Sequence, residues 1–339
     1  INRSLNVAFI LYDNINREEI YSFLQVPNFL PRLVQLPNSQ GYHFVLFEEI
    51  IKANAYKIFP GLQILGAYNF RVTRDADIEI AEDEAEDLLS EISEQIKLRR
   101  WGMAPVRLEL NLNFPSDLLE FLLPYLNLTH DDVYVYNRPL NLPDFMALMK
   151  LDLPALKDTP FNPRIIQDFQ GDNQAIFDAI SQNDYLVHHP YDSFSNSVLR
   201  FLNIASTDPD VLLIKITLYR TDPKSPILEA LKLAAENGKS VTAFVELKAR
   251  FDEENNIVWA KKLEKSGVHV VYGVPHLKTH CKIAYIVRKE QDNFRTYVHL
   301  STGNYNQTTS RLYTDVGFFT SNSEFGKDAA LLFNYLTSY

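Results

Sequence analysis

The chain has 339 residues, enough for two domains with cores of their own. Its 33 Lys and Arg stand against 43 Asp and Glu, a net charge of −10 that argues against a general nucleic-acid or anionic-membrane binder. The single cysteine, Cys281, excludes an intrachain disulfide and points to a reducing compartment. No apolar run reaches the roughly 18 residues of a membrane span, and no signal-peptide pattern is present. The sequence opens on Ile1 and reads as part of a longer protein.

Residues 1–12 read as a strand followed by a turn. A proline within 29–36 makes that stretch an edge strand or irregular, and Phe44 to Ala53 begins as a strand and continues as a short helix. Phe59 to Val72 suggests a turn and a strand. From Asp75 to Glu94 there are ten Asp and Glu and no Lys or Arg. With Leu88, Leu89, Ile92 and Ile96 at helical spacing, this reads as an amphipathic helix with a solvated acidic face, in preference to a cation cluster of Asp75, Asp77 and Glu79. Val106 to Leu112 alternates as a strand, Ser116 to Tyr125 is a short helix, and Asp131 to Tyr136 is another strand. Three prolines within 150–165 mark a linker.

The second half changes character. Asp192 to Ala205 reads as a capped helix, and Val211 to Tyr219 is an apolar, β-rich run typical of a strand buried on both faces. A helix from Pro226 to Asn237, closed by Gly238, precedes a strand at Val241 to Leu247. A helix at Glu253 to Lys265 and strands at Gly267 to Tyr272, Lys282 to Val287, Tyr297 to Leu300 and Asp315 to Phe319 complete the set. The expected architecture is an α+β domain over 1–160, then an α/β domain over 161–339 with a mixed sheet covered by helices on both faces.

Functional residues of such sheets collect at strand ends. Three strands run into basic residues: Tyr219-Arg220, Lys248-Ala249-Arg250 and Lys278-Thr279-His280. About thirty residues, one βα unit, separate Arg220 from Arg250 and Arg250 from His280, so equal phase predicts one crevice. Lys278, His280 and Lys282 alternate at period two, which on a strand puts all three on one face and Cys281 on the other, as a small buried residue. From Lys215 to Arg311 sixteen Lys and Arg outnumber ten Asp and Glu, so a basic region sits on an acidic protein. Arginine forks match phosphate oxygens, lysine adds a point charge, and histidine can form a covalent phosphoramidate. No Gly-x-x-x-x-Gly-Lys loop, dinucleotide fingerprint or zinc spacing is present.

The stretches HLKTHCK, YVHLSTGNYNQTTSRLYTD, VLLIKITLYRTDPKSPI, VELKARFDEENNI and DYLVHHPYDSFSNSV closely resemble the ATP-dependent polyphosphate kinases that phosphorylate themselves on histidine. FRVTRDAD and RWGMAPVRLE resemble the same family's head domain. The resemblance implies a dimerising head at 1–160 and a first phospholipase D-like catalytic domain at 161–339. A helical domain and a second catalytic domain, also implied for the family, are not among these residues. Phospholipase D-like domains carry His-x-Lys, then an Asp, then Gly-Ser or Gly-Asn. His280, Lys282 and Gly303-Asn304 match, while the Asp position holds Val287, a departure shared with the kinases.

The resemblance implies that His280 is the phosphohistidine nucleophile and that Lys282 stabilises phosphate. Tyr313, Lys278 and Asn304 are implied contacts to ATP or its phosphates. Arg220 and Arg250 match the magnesium–phosphate site, and since guanidinium cannot ligate a cation they are read as holding phosphates that carry Mg²⁺. The expected reaction is reversible transfer of the ATP γ-phosphate to inorganic polyphosphate, with ADP leaving, by a homodimer or homotetramer. The expected location is the cytoplasm, with peripheral contact at the inner face of the membrane as a variant. The alternatives are a phospholipase D-like phosphodiesterase and a non-catalytic polyanion-binding module.

Overall fold

The computed structural model describes residues 2–37, 41–75, 104–222, 224–247, 253–274, 277–291 and 293–338. Arg250, Asp77, Glu79, Leu88, Leu89, Ile92 and Ile96 lie outside these residues. The chain forms two compact units that divide between Thr159 and Pro160.

In the first unit a five-stranded sheet runs β2-β1-β5-β6-β7, with β1 Leu5–Asp13, β2 Glu18–Gln25, β5 Gln63–Arg74, β6 Pro105–Asn111 and β7 Val133–Tyr136. A small pair, β3 Leu33–Gln35 and β4 Phe44–Leu46, leads directly into helix α1 Phe47–Ala53. Alternation along β1 sends Val7, Phe9 and Leu11 to one face, where Ile51 of α1 and Ala55 of the short helix α2 Ala55–Ile58 cover them. Ala8, Phe70, Leu108 and Leu110 face the other way, onto Leu118 and Leu123 of α3 Ser116–Leu126. A buried fork joins the elements: Arg32 donates through Nε and Nη2 to the fully buried Glu48, and through Nη1 to the carbonyls of Leu140 and Asn141.

The second unit is built on a seven-stranded mixed sheet in the order β11-β10-β9-β12-β13-β14-β8. Its strands are β8 Tyr185–His189, β9 Val211–Leu218, β10 Ser240–Val245, β11 His269–Tyr272, β12 Lys282–Glu290, β13 Asn293–Ser301 and β14 Asp315–Thr320. Strands β9, β10 and β11 are parallel, so the chain crosses over between each and the next. The crossover between β9 and β10 is α6 Pro226–Glu236, whose N-cap Ser225 accepts the Ile227 N–H and whose exit turn uses Gly238 at φ 79°. The remaining four strands are antiparallel to their neighbours.

Apolar side chains leave both faces. Ile214, Ile216, Ala243, Val245, Ala284 and Ile286 pack under α4 Ala175–Gln182, α5 Arg200–Thr207, α6 and α7 Glu253–Lys265. Ile283, Tyr285 and Val298 meet Ala329 and Phe333 of α8 Ser323–Leu336 on the other face. The expected capped helix at Asp192 starts later. A wide turn at Ser195–Leu199 precedes α5, and Asp192 instead accepts from Arg164 and from the His188 N–H. A strand at β2, a strand at β8 and the helices α4 and α8 were not read from the sequence. The first two are edge strands, and both helices carry polar residues among their apolar ones.

Candidate functional site

Topology brings one set of chain segments to a single edge of the seven-stranded sheet. This edge holds the carboxyl ends of β9 and β10, the start of β12, the end of β13, the start of β14 and the end of β8. Arg220 follows β9, and Lys278, His280 and Lys282 lead into β12. Asn304 follows β13, while Tyr313 precedes β14. The fold therefore collects every described candidate on one edge.

The equal-phase reading requires β9 and β10 to be parallel neighbours, which they are, while Arg250 lies outside the described residues. It does not explain His280. The third parallel strand, β11, lies at the far side of β10, and the chain crosses back to pair β12 antiparallel to β9. His280 reaches the edge at the start of a reversed strand. The expected alternation of Lys278, His280 and Lys282 along one strand is also corrected, because residues 278–281 belong to no strand and only Lys282 belongs to β12. Cys281 is exposed, not buried, for the same reason.

Tyr219 is the centre of the cluster. His280 meets its ring edge-on at a centroid distance of 4.9 Å and an interplanar angle of 81°. Arg220 stands 5.3 Å from the ring centroid, Lys278 5.6 Å and Lys282 5.5 Å. The negative face of the ring offsets part of the repulsion among these cations. Lys282 is only 5% exposed. Its Nζ lies 2.9 and 3.0 Å from the two ring nitrogens of His280 and 2.6 Å from the His280 carbonyl, to which it donates. An in-plane hydrogen bond meets a single imidazole nitrogen, and an in-plane approach equidistant from both would strike the C–H between them. The ammonium therefore lies over the ring, supplying charge without occupying a lone pair.

Partial desolvation, then the charges of Lys282, Lys278 and Arg220, hold the His280 pKa below the ordinary histidine value. Burial likewise pushes the Lys282 ammonium down, against opposing pulls from Cys281 and Asp315. The result is an exposed, neutral imidazole among cations. Such a group is a nucleophile in a setting that attracts anionic electrophiles.

The other segments are tied to this centre. Thr221 donates to the carbonyl of Tyr305, and buried Tyr305 bonds His299 Nδ1 through its hydroxyl. This fixes the 301–305 loop against the end of β9. A Cβ on Gly303 would lie 2.5 Å from the Asp315 carboxyl, so glycine is required by close approach. The Asn304 amide oxygen is buried without a hydrogen-bond partner among the described residues. Tyr313 is 64% exposed on the loop before β14. Arg250 cannot be placed, as it lies outside the described residues.

Sequence reasoning missed three buried polar groups. Asn256, fully buried in α7, donates to the carbonyls of both Tyr219 and Glu246 and so ties the ends of β9 and β10 together. Glu246 accepts from the Thr279 N–H, and Thr217 donates to the Cys281 carbonyl. The available signals were a Thr inside the apolar run of β9 and a Glu ending that of β10. Among the described residues no group of three His, Cys, Asp or Glu could hold a metal ion. The donor set at this edge is cationic and does not fit a protein-held Mg²⁺. No helix among the described residues is long and apolar enough to cross a membrane.

Fold and site together define an α/β protein with a cationic, histidine-centred site at the carboxyl edge of its parallel strands. Residues 1–148 match the family model of the polyphosphate kinase middle domain, and residues 175–339 match that of the polyphosphate kinase C-terminal domain 1. A polyphosphate kinase of Parasynechococcus marenigrum is 46% identical over all of this chain and 51% of the relative, and one of Bacillus cereus is 45% identical over all of this chain and 49% of the relative. The crystal structure of polyphosphate kinase from Porphyromonas gingivalis superposes with a TM-score of 0.77 at 29% identity, covering 99% of this chain and 49% of that one. The chain belongs to the polyphosphate kinase family. It spans about half the length of the curated relatives it matches.

Proposed function

We propose that this chain carries the phosphoryl-accepting half of a polyphosphate kinase site, with His280 as the nucleophile. The observation that carries the reading is an exposed imidazole beside Tyr219, with Lys282, Lys278 and Arg220 gathered around the same ring, whose pKa is held down first by partial desolvation and then by those three charges. One ring nitrogen of His280 attacks the γ-phosphorus of ATP. The N–P bond forms as the bond to the β–γ bridging oxygen breaks, and ADP leaves with that electron pair. In the second step a terminal oxygen of polyphosphate attacks the same phosphorus and the N–P bond breaks. Both bonds are high in phosphoryl-transfer potential, so the sequence runs in either direction.

Catalysis of this kind is mostly positioning and neutralisation of charge. Lys282, Lys278 and Arg220 serve as neutralising groups, and Asn304 and Tyr313 as contacts to phosphate and nucleotide. Arg250 is assigned beside Arg220 by the thirty-residue spacing and by the resemblance. Magnesium enters as part of the substrate, bound to the nucleotide phosphates, since the described residues offer no anionic cluster. The second unit is assigned as phospholipase D-like on the placement of His280, Lys282, Gly303 and Asn304 along one edge. Val287 is partly buried against the apolar cluster that includes Phe333 of α8, a poor setting for the Asp of the diesterase motif. That favours the kinase over the diesterase. The first unit is assigned as a dimerising head, and the location as the cytoplasm, where ATP is available.

The test is incubation of the full-length protein with γ-labelled ATP and Mg²⁺, followed by acid and alkali treatment. A protein label that is acid-labile, alkali-stable and lost in His280→Ala is expected. Diester hydrolysis without label would transfer the assignment to a phosphodiesterase. Salt-sensitive polyphosphate binding that survives His280→Ala, with neither activity, would reduce the chain to a docking module.

A further inference from the structure

The nucleophile stands on backbone that the sheet does not hold. Strand β12 begins its ladder at Lys282, and its pairing with β9 begins at Ala284 opposite Ile216. Residues 278–281 belong to no strand, yet a nucleophile must be fixed closely to react. Two buried side chains hold the backbone of the residues that flank His280 in the chain. On one side, Glu246 is 2% exposed and its Oε2 accepts the Thr279 N–H at 2.7 Å. On the other, Thr217 is 3% exposed and its hydroxyl donates to the Cys281 carbonyl at 2.8 Å while accepting the Ile283 N–H at 3.1 Å. The Thr217 hydroxyl thus continues by side chain a ladder that the backbone has abandoned. Each anchor belongs to a parallel strand or its end, and Asn256 locks those two ends together through the Tyr219 and Glu246 carbonyls.

We propose that Glu246 and Thr217 are positioning residues for His280, suspending the nucleophile's backbone between β9 and β10 so that its ring stays against Tyr219 and under the Lys282 ammonium. The inference rests on the kinase reading only for its activity measurement. The Glu246 carboxylate is acceptor-only, and the Thr279 amide is a group that it holds. A carboxamide keeps the accepting oxygen, while leucine of similar bulk does not. Valine keeps the shape of Thr217 and loses both of its hydrogen bonds.

The experiment uses the full-length protein with Glu246→Leu, Glu246→Gln and Thr217→Val. Two readouts are taken. One is the rate of labelling by γ-labelled ATP at saturating nucleotide. The other is the pH dependence of His280 modification by diethyl pyrocarbonate, followed by mass spectrometry, which needs no ATP. Loss of position by about 1 Å costs on the order of 100-fold in rate, so Glu246→Leu should label about 100-fold more slowly with little change in half-saturating ATP. Thr217→Val should slow labelling about tenfold, and Glu246→Gln should restore most of the rate, within about threefold of wild type. In Glu246→Leu and Thr217→Val the modification profile of His280 should move to higher pH, as the ring leaves its cations. Wild-type rates and profiles in both Glu246→Leu and Thr217→Val would overturn the proposal, and so would a Glu246→Gln as slow as Glu246→Leu. Should Glu246→Leu fail to fold by circular dichroism, Glu246→Gln and Thr217→Val decide the matter. If wild type does not label, the kinase reading fails, and the modification profiles still test the positioning.

Discussion

Replacing Tyr219 with leucine removes the surface on which the site's cations are gathered. Arg220, Lys278 and Lys282 each lie between 5.3 and 5.6 Å from the ring centroid, within cation–π range. At partly exposed sites each such contact is worth about 0.5–1 kcal/mol, so the three together hold roughly 1.5–3 kcal/mol of geometry that mutual repulsion would otherwise undo. At 1.36 kcal/mol per tenfold, losing it slows phosphoryl transfer to His280 roughly 10- to 100-fold. The edge-on contact of His280 with the same ring is lost as well, which favours the upper figure. Rapid-quench labelling with γ-labelled ATP measures the effect. Tyr219→Phe keeps the ring and should stay within about threefold of wild type. Wild-type labelling in Tyr219→Leu, or equal losses in Tyr219→Leu and Tyr219→Phe, would show that the ring does not organise the cations.

Three further outcomes are expected. Because desolvation and the charges of Lys282, Lys278 and Arg220 lower the His280 pKa, the imidazole stays neutral below the ordinary value of 6.5. Labelling should therefore hold its rate through that pH and fall only in more acid buffer, and Lys282→Met should move the acid limb to higher pH. A limb that stays in place would remove the charge of Lys282 from the account. In the core, burial and then the neighbouring His189 push the His299 pKa down to about 3. The unfolded chain takes a proton near pH 6.5 that the folded chain refuses. This contribution is complete above about pH 6.5 and is lost toward pH 3, at up to about 1.4 kcal/mol per pH unit. Urea denaturation at a series of pH values should show that slope, and His299→Phe should flatten it while lowering stability at neutral pH. In the first unit, Arg32→Met leaves the fully buried Glu48 carboxylate without its guanidinium, together with the Leu140 and Asn141 carbonyls. The expected cost is about 3–5 kcal/mol by denaturation, and Glu48→Leu added to it should recover a large share. A loss under about 1 kcal/mol in the single variant would contradict the burial argument.

The parts of the site visible in the sequence were those set by local pattern. The apolar run of β9 and the helix signals of α6, Pro226 at its start and Gly238 at its end, mark two strands joined by a helix and the Arg220 end of the first. The basic residues around His280 stood out by type. Hidden from the sequence was the reversal of β12. Nothing local distinguishes a strand added parallel beyond β11 from one that crosses back to β9. The regular spacing of about thirty residues therefore gave the right neighbourhood for His280 by the wrong route. Asn256, Glu246 and Thr217 were invisible for a related reason. Each acts on a backbone group brought close only by the sheet, as with Thr217 and Cys281, which are 64 residues apart.

The same long reach bears on when the site can exist during synthesis. Strand β8 precedes every other strand of its sheet in the chain, yet its sheet partner is β14, more than 120 residues further on. Ser321 closes onto the Ile180 carbonyl across 141 residues, and Thr221 onto Tyr305 across 84. Closing such loops is entropically costly and slows folding, whereas β9, α6 and β10 are contiguous and can pair early. The parallel core with Tyr219 and Glu246 thus forms as a seed while the segment bearing His280 is still joining it. Until β12 docks, the Glu246 carboxylate and the Thr217 hydroxyl have yet to receive the segment they hold, and a ribosome-bound intermediate of this kind offers a natural point of engagement for chaperones.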